Sequence, residues 1–306
     1  MAQYILKRLG MMILTLFLVL LLTFVIMHAI PGGPYSAGKR LPAEIQAAID
    51  AKYKLDDPLY VQFFDYLKGV VRLDLGPSFK YEGMTVNELI AKGFPISATL
   101  GVLSMLFVLV VGIPLGVLSA LKRGKWQDTV ISFFTTFGVT IPSFVVATLL
   151  IYFFAGKLGW FAVIESGTLK SYILPTLALS GYSLAYVTRL MRSSLLDVMR
   201  ADYIRTARVK GLSEGKIIVR HGMRNAIVPV VTVVGPLFAG LLMGSFVVEK
   251  IFALPGMGRF FIQSITNRDY TAIMGFTIFY SAVLVVLVFI VDILYTIIDP
   301  RIKIDG

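Results

Sequence analysis

The sequence contains no cysteine. That excludes a disulfide scaffold, a cysteine-held zinc or iron–sulfur site and a thiol nucleophile. Histidine occurs only twice. His28 and His221 lie far apart in the sequence and read as structural groups rather than ligands. No H-E-x-x-H, G-x-S-x-G or paired-carboxylate pattern appears. The phosphate-cradling G-x-x-x-x-G-K-[ST] loop is absent too. The nearest string, Gly211-Leu-Ser-Glu-Gly215-Lys216, has the wrong spacing, so this chain does not bind ATP that way. Charge is also scarce: Asp, Glu, Lys and Arg make up 15% of 306 residues, where about 25% is usual for a soluble domain. What the chain has instead is apolar surface, at 57% of residues and a mean hydropathy of +0.81. A soluble fold could not bury that much. The composition therefore specifies an integral membrane protein and excludes a disordered or nucleic-acid-binding chain.

A helix needs about 20 mostly apolar residues to cross a bilayer. Six windows free of Asp, Glu, Lys and Arg meet that need: 9–30, 98–121, 129–156, 171–188, 225–248 and 270–291. No strand-like alternation competes with them. The first window is too long for a signal peptide and is followed by Ile30-Pro31-Gly32 rather than a cleavage site, so it reads as a retained span. With both termini in the cytoplasm, the inner segments carry a net charge of +10 and the outer ones +2. The basic balance is thus a topology signal.

The outer loop at 31–97 is long enough to fold. Residues 41–54 and 58–73 read as amphipathic helices, the second with Val61, Phe64 and Leu67 on its apolar face. The inner segment around 195–224 reads as helix, glycine turn, helix. Leu196, Met199 and Tyr203 fall on one face, Asp202 is placed to pair with Arg205, and Gly211 is placed to end the helix in a left-handed residue. Ser213 is placed to cap the helix that follows, to about Arg224. A helix-turn-helix reader of DNA is disfavoured because both ends are tethered to spans. Prolines 114, 142, 175, 229 and 236 invite kinks. Gly112-x-x-x-Gly116 and Gly240-x-x-x-Gly244 permit close helix contact. Few charges lie within the spans, which argues against an ion-coupled carrier and for an outside motor or a passive channel.

The inner segment resembles the cytoplasmic coupling motif of permease subunits of binding-protein-dependent ABC importers, in its oligopeptide and dipeptide branch. The matching residues run Asp202-Tyr203-Ile204-Arg205-Thr206-Ala207-Arg208, Lys210-Gly211-Leu212, then Arg220-His221, Arg224-Asn225-Ala226 and Pro229. The general importer pattern begins Glu-Ala-Ala and reaches its proline sooner. Here Arg205 stands at the Glu position, a departure similar to the peptide branch. Further matches are 29–34, 74–81, Asn267-Arg268-Asp269-Tyr270, Asp299-Pro300-Arg301, and the string from Val248 and Glu249 to Pro255, Gly256 and Gly258.

The resemblance implies an all-α integral membrane protein with the type I ABC importer permease fold. That means six transmembrane helices, a long extracytoplasmic loop after the first, and a cytoplasmic coupling helix between the fourth and fifth. The implied division is 1–30 for the first helix, 31–97 for the loop and 98–306 for the core. The implied partners are a homologous second permease subunit, two cytoplasmic ATPase subunits that hold ATP and magnesium, an extracytoplasmic binding protein, a peptide substrate and membrane lipid. No cofactor and no nucleic acid are expected on this chain, which is not itself an enzyme. Tyr203, Arg205, Thr206, Ala207, Arg208, Lys210, Gly211 and Leu212 would couple to the ATPase. Glu249, Pro255, Gly256 and Gly258 would form an outer gate or docking point. Thr140, Ser143, Tyr182 and Ser183 are expected to line the pathway. The implied location is a bacterial or archaeal cell membrane. Dipeptide, glutathione or nickel import would use the same machinery. A passive channel or secondary carrier is the competing class, and it would move solute when purified alone in liposomes. A scaffold that transports nothing is a third.

Overall fold

The computed structural model describes residues 2–30, 56–161 and 168–298. The expected helix at 41–54, the 31–34 string and Asp299-Pro300-Arg301 lie outside the described residues. The elements are α1 (Ala2–Ala29), α2 (Leu59–Val71), α3 (Val86–Leu121), α4 (Trp126–Thr140), α5 (Ser143–Leu150), α6 (Ile173–Val198), α7 (Asp202–Val209), α8 (Glu214–Lys216), α9 (Met223–Ala226), α10 (Val228–Ile251), α11 (Met257–Asn267) and α12 (Tyr270–Ile298). Two π-helical segments, Ile151–Lys157 and Ile217–Gly222, extend α5 and link α8 to α9. Among the described residues the only β-type pairing is a single bridge, Pro77 to Thr85.

Four described helical stretches are long and apolar enough to cross a bilayer: Ile5–Ala29, Val86–Leu121, Val228–Ile251 and Tyr270–Ile293. The window at 129–156 is not one straight span. It divides at Ile141-Pro142 into α4 and α5, bent by 106° over Trp126–Thr140 and Ser143–Lys157. Proline lacks an N–H and drives the preceding residue out of the helical region. Ile141 accordingly takes φ −89°, ψ 123°. Taken as one broken span, this pair makes a fifth. The window at 171–188 begins in a 3-10 turn, Leu169–Tyr172, and runs into α6, which continues past it through Arg189, Arg192 and Asp197 and is not among the helices apolar enough to cross a bilayer by composition. The helix at 98 starts twelve residues earlier than the charge-free window, because Thr85 and Glu88 form a reciprocal capping box: Thr85 N–H to Glu88 Oε2 at 2.9 Å and Glu88 N–H to Thr85 Oγ1 at 3.2 Å.

Packing divides the chain into two units, Met1–Pro95 with Pro255–Val285, and Ile96–Leu254 with Val286–Gly306. In the first, α2 docks on α1 through Phe63, whose ring lies 6.0 Å from Phe17 and 5.3 Å from Phe24. The apolar face of α2 is therefore centred one residue away from expectation: Phe63 is 7% exposed and Phe64 61%. The helix has apolar residues on two faces, so spacing alone did not choose between them. The loop before α3 is tied down by buried Asp269. Its Oδ1 caps α12 by accepting the Ala272 N–H at 3.1 Å, and its Oδ2 accepts from Ser78 Oγ at 2.5 Å.

The second unit is built around α6. A Cβ on Gly116 would sit 2.6 Å from the Thr188 carbonyl oxygen, and one on Gly138 would sit 2.6 Å from the Gly181 carbonyl oxygen. Only glycine lets α3 and α4 approach α6 so closely. Asp128 opens α4 and forms a bidentate pair with Arg192 of α6, both contacts at 2.8 Å. Ser119 and the Gly124 N–H also donate to that carboxylate. Four donors satisfy a buried charge that would otherwise be costly.

Candidate functional site

The basic inner segment folds as expected around its glycine but not as one continuous helix before it. Helix α6 ends at Val198 and Ala201 is extended, at φ −67°, ψ 150°. Leu196 and Tyr203 therefore belong to different helices. In α7, Ile204 and Ala207 turn inward and pack with Ile217, Met199 and Leu212. The opposite face leaves Tyr203, Arg205, Thr206, Arg208 and Lys210 exposed, with Val209 88% exposed.

The helix closes in a Schellman motif. The Leu212 N–H bonds the Ala207 carbonyl at 3.3 Å and the Gly211 N–H bonds the Arg208 carbonyl at 2.9 Å. Gly211 has φ +79°, and a Cβ there would meet nothing. Its requirement is conformational, not steric. Asp202 and Arg205 approach to 3.7 Å on the surface, a pair of little energetic weight. The stronger clamp is Arg208 to Glu214, at 2.7 Å across the turn. It holds the Glu214 carboxyl below the usual carboxylate range. Ser213 occupies the cap position of α8 without a side-chain cap bond. Asn225 Nδ2 donates to the Tyr203 hydroxyl at 2.8 Å, joining the two arms. Sequence reasoning assigned no role to Val209 or Glu214, and named Asn225 only as part of the matching motif. Glu214, three residues past the turn glycine, was the readable signal among them.

Of the expected pathway residues, Ser143, Tyr182 and Ser183 line one cavity of about 470 Å³ within the second unit. Thr140 does not. Its hydroxyl turns back to the Thr136 carbonyl at 2.8 Å. The broken turn at Ile141-Pro142 forms one wall, α6 another and α10 a third. Gly138, Gly181 and Gly240 contribute walls without side chains. A Cβ on Gly240 would meet nothing, so this glycine opens the cavity and makes no close helix contact. No charged side chain lines the space among the described residues. Tyr182 stacks on Tyr186, ring centroids 6.3 Å apart.

The expected outer-gate residues are mostly interior. Glu249, in the last turn of α10, is 0% exposed and accepts from Ser97 Oγ at 2.6 Å. Gly256 and Gly258 are buried, while Pro255 is exposed.

The comparisons with known proteins agree with this architecture. The family model for the binding-protein-dependent transport system inner membrane component matches residues 112–304, and that for its N-terminal part matches 1–101. The chain is 45% identical over 303 residues to a dipeptide transport system permease protein of Bacillus subtilis, covering 99% of this chain and 98% of the relative. It is 44% identical over 306 residues to an oligopeptide transport system permease protein of Salmonella typhimurium, covering 99% and 100%. Among solved structures, an inward-facing methionine ABC transporter aligns with a TM-score of 0.53 at 20% identity, over 70% of this chain and 96% of the other. That likeness bears on the fold alone. Matched over both of its parts, the chain belongs to the family of binding-protein-dependent transport system inner membrane components.

Proposed function

We propose that this chain is a pathway-forming membrane subunit of an ATP-driven importer of short peptides. The observation that carries the proposal is its likeness, at 44–45% identity end to end, to permeases named for dipeptide and oligopeptide transport. The geometry supports it at two points. The cavity beside the Pro142 break is uncharged and hydroxyl-bearing, which suits passage of a backbone whose side chains vary. The α7 turn presents guanidinium, ammonium and apolar groups on a short, rigid edge, which suits a groove on a cytoplasmic ATPase. A homologous second permease completes the pathway, two ATPase subunits hold ATP and magnesium, and an extracytoplasmic binding protein delivers the peptide. ATP-driven closure pushes on the edge from Tyr203 to Leu212, and the pathway changes its open side. Such coupling requires two global states that ATP and peptide bias differently.

The test is co-purification followed by uptake. The tagged chain, isolated from its own cells in mild detergent, should bring down a second permease, ATPases with phosphate-binding loops, and a binding protein. Proteoliposomes of that assembly should accumulate labelled tripeptide only with ATP inside the compartment that holds the ATPases. Recovery of the chain alone, with solute flux that needs no ATP, would establish a passive channel instead.

A further inference from the structure

Helix α2 carries an apolar stripe to which the transport reading gives no task. Tyr60, Phe64 and Val71 recur at spacings of four and seven, on one narrow arc of the helix. They are 61–76% exposed, whereas Phe63 is buried against α1. The side of the helix opposite Phe63 carries Asp65, Lys68 and Arg72, all exposed. An amphipathic helix whose apolar arc is only partly covered by its own fold has a further apolar surface to meet.

The height at which α2 docks decides what that surface is. The Phe63 ring lies against both Phe17 and Phe24 of α1. Leu20, on the same face of α1 between them, is buried. Phe24 and Phe17 stand five and twelve residues before Ala29, which puts them about 7.5 and 18 Å below the end of the helix. Helix α1 is long and apolar enough to cross a bilayer. Arg8 marks the edge of its apolar run and stands sixteen residues before Phe24. That separation is about 24 Å along the axis, short of the roughly 30 Å of a hydrocarbon core. Tilt of α1 only shortens the projected distance. The core therefore extends past Phe24, and Phe63 packs below that level.

Bulk water does not reach this depth, so the exposed stripe of α2 meets lipid or protein. At the same height α1 exposes Leu18, Leu22 and Val25, so the stripe belongs to the apolar belt of a span. The charged face beside it favours lipid, because the core of a subunit interface is depleted in charge. A helix is about 10–12 Å across with its side chains, enough for the Asp65, Lys68 and Arg72 face to reach the headgroups while Phe63 stays in the core. Interfacial helices sink their apolar face about 5–10 Å into the boundary between headgroups and acyl chains. Tyr60 suits that boundary, with an apolar ring and a polar hydroxyl.

We propose that α2 lies in the bilayer leaflet where α1 ends, with Tyr60, Phe64 and Val71 against lipid acyl chains and Asp65, Lys68 and Arg72 among the headgroups. The partner of this surface is the membrane itself. Such an anchor fixes the height of the segment that joins α1 to α3, whatever solute the assembly carries.

The absence of cysteine lets nitroxide labels test this. Labels are placed one at a time at Phe64→Cys, Val71→Cys, Lys68→Cys and Arg72→Cys in the full assembly, held in lipid nanodiscs. The assembly with the natural chain supplies the background from partner subunits. Power saturation then compares collision with oxygen, which concentrates among acyl chains, and with a water-soluble nickel chelate. Oxygen should dominate several-fold at positions 64 and 71, and nickel should dominate at 68 and 72. Nickel dominance at 64 and 71 would put α2 in water. Low access to both reagents there, with an immobilised spectrum, would put the stripe against another protein. Oxygen dominance at all four positions would sink the whole helix in the core. Each of these three results overturns the proposal. If Phe64→Cys fails to assemble, Tyr60→Cys, on the same arc, is read by the same criteria.

Discussion

At the scale of single residues, the glycines of this chain do three different jobs. Gly211 supplies a left-handed conformation in open space. A β-branched residue there would be strained by about 1–2 kcal/mol with nothing to relieve it. The Gly211→Val variant should therefore assemble while its α7 edge is presented wrongly. ATP hydrolysis should continue and peptide uptake should fall at least tenfold. Uptake at the normal rate would remove α7 from the coupling path. Gly138 supplies close approach: an added Cβ would meet the Gly181 carbonyl oxygen, and backbone cannot rotate away. Gly240 supplies empty space. Gly138→Ala should lower stability by about 1–3 kcal/mol, whereas Gly240→Ala should leave the melting temperature in detergent unchanged. Equal shifts for the two would contradict the packing described. Sequence spacing had put Gly240 in the same class as Gly116, since a G-x-x-x-G string records only which residues share a helix face. What that face meets is a tertiary matter.

Elements are terminated here by chemistry that the sequence states openly in some places and conceals in others. Proline before Ser143 breaks the third apolar window, and the Thr85–Glu88 box starts α3 inside what charge counting took for a loop. The two arms of the inner segment are held by the Arg208–Glu214 clamp as well as by the glycine. Because that clamp lowers the Glu214 pKa, its contribution is present above the usual carboxylate range and is lost as pH falls through the lowered value. A ¹³C titration of the Glu214 carboxyl should give a midpoint below 4.5. Arg208→Gln should raise it. A midpoint that does not move on that substitution would mean that the clamp does not form in solution. Helix α6 carries Arg189, Arg192 and Asp197 in its second half. Arg192 is matched to Asp128, and Arg189 donates to Thr136 Oγ1 at 3.0 Å. A helix can carry such groups where neighbouring helices provide partners.

For the molecule as a whole, the charge bias predicts an orientation, both termini in the cytoplasm, that the absence of cysteine makes easy to measure. Single substitutions Arg123→Cys and Arg205→Cys should react with a membrane-impermeant maleimide only after the cells are opened. Glu82→Cys and Lys170→Cys should react in intact cells. The reverse pattern would invert the topology and remove α7 from the cytoplasm. Membrane residence, the helical class, the family and the glycine turn at 211 were all legible in the sequence. The family was read from the resemblance of its motifs; the others follow from composition, from a span length set by the bilayer, or from a local conformational demand that one residue type meets. The burial of Glu249 against Ser97, the choice of Phe63 over Phe64, the cavity shared by Ser143, Tyr182 and Ser183, and the meeting of Phe24, His28 and Tyr270 were not legible. They join residues as far apart in the chain as Phe24 and Tyr270, and only the packing of helices, which depends on every interface at once, decides which of them meet.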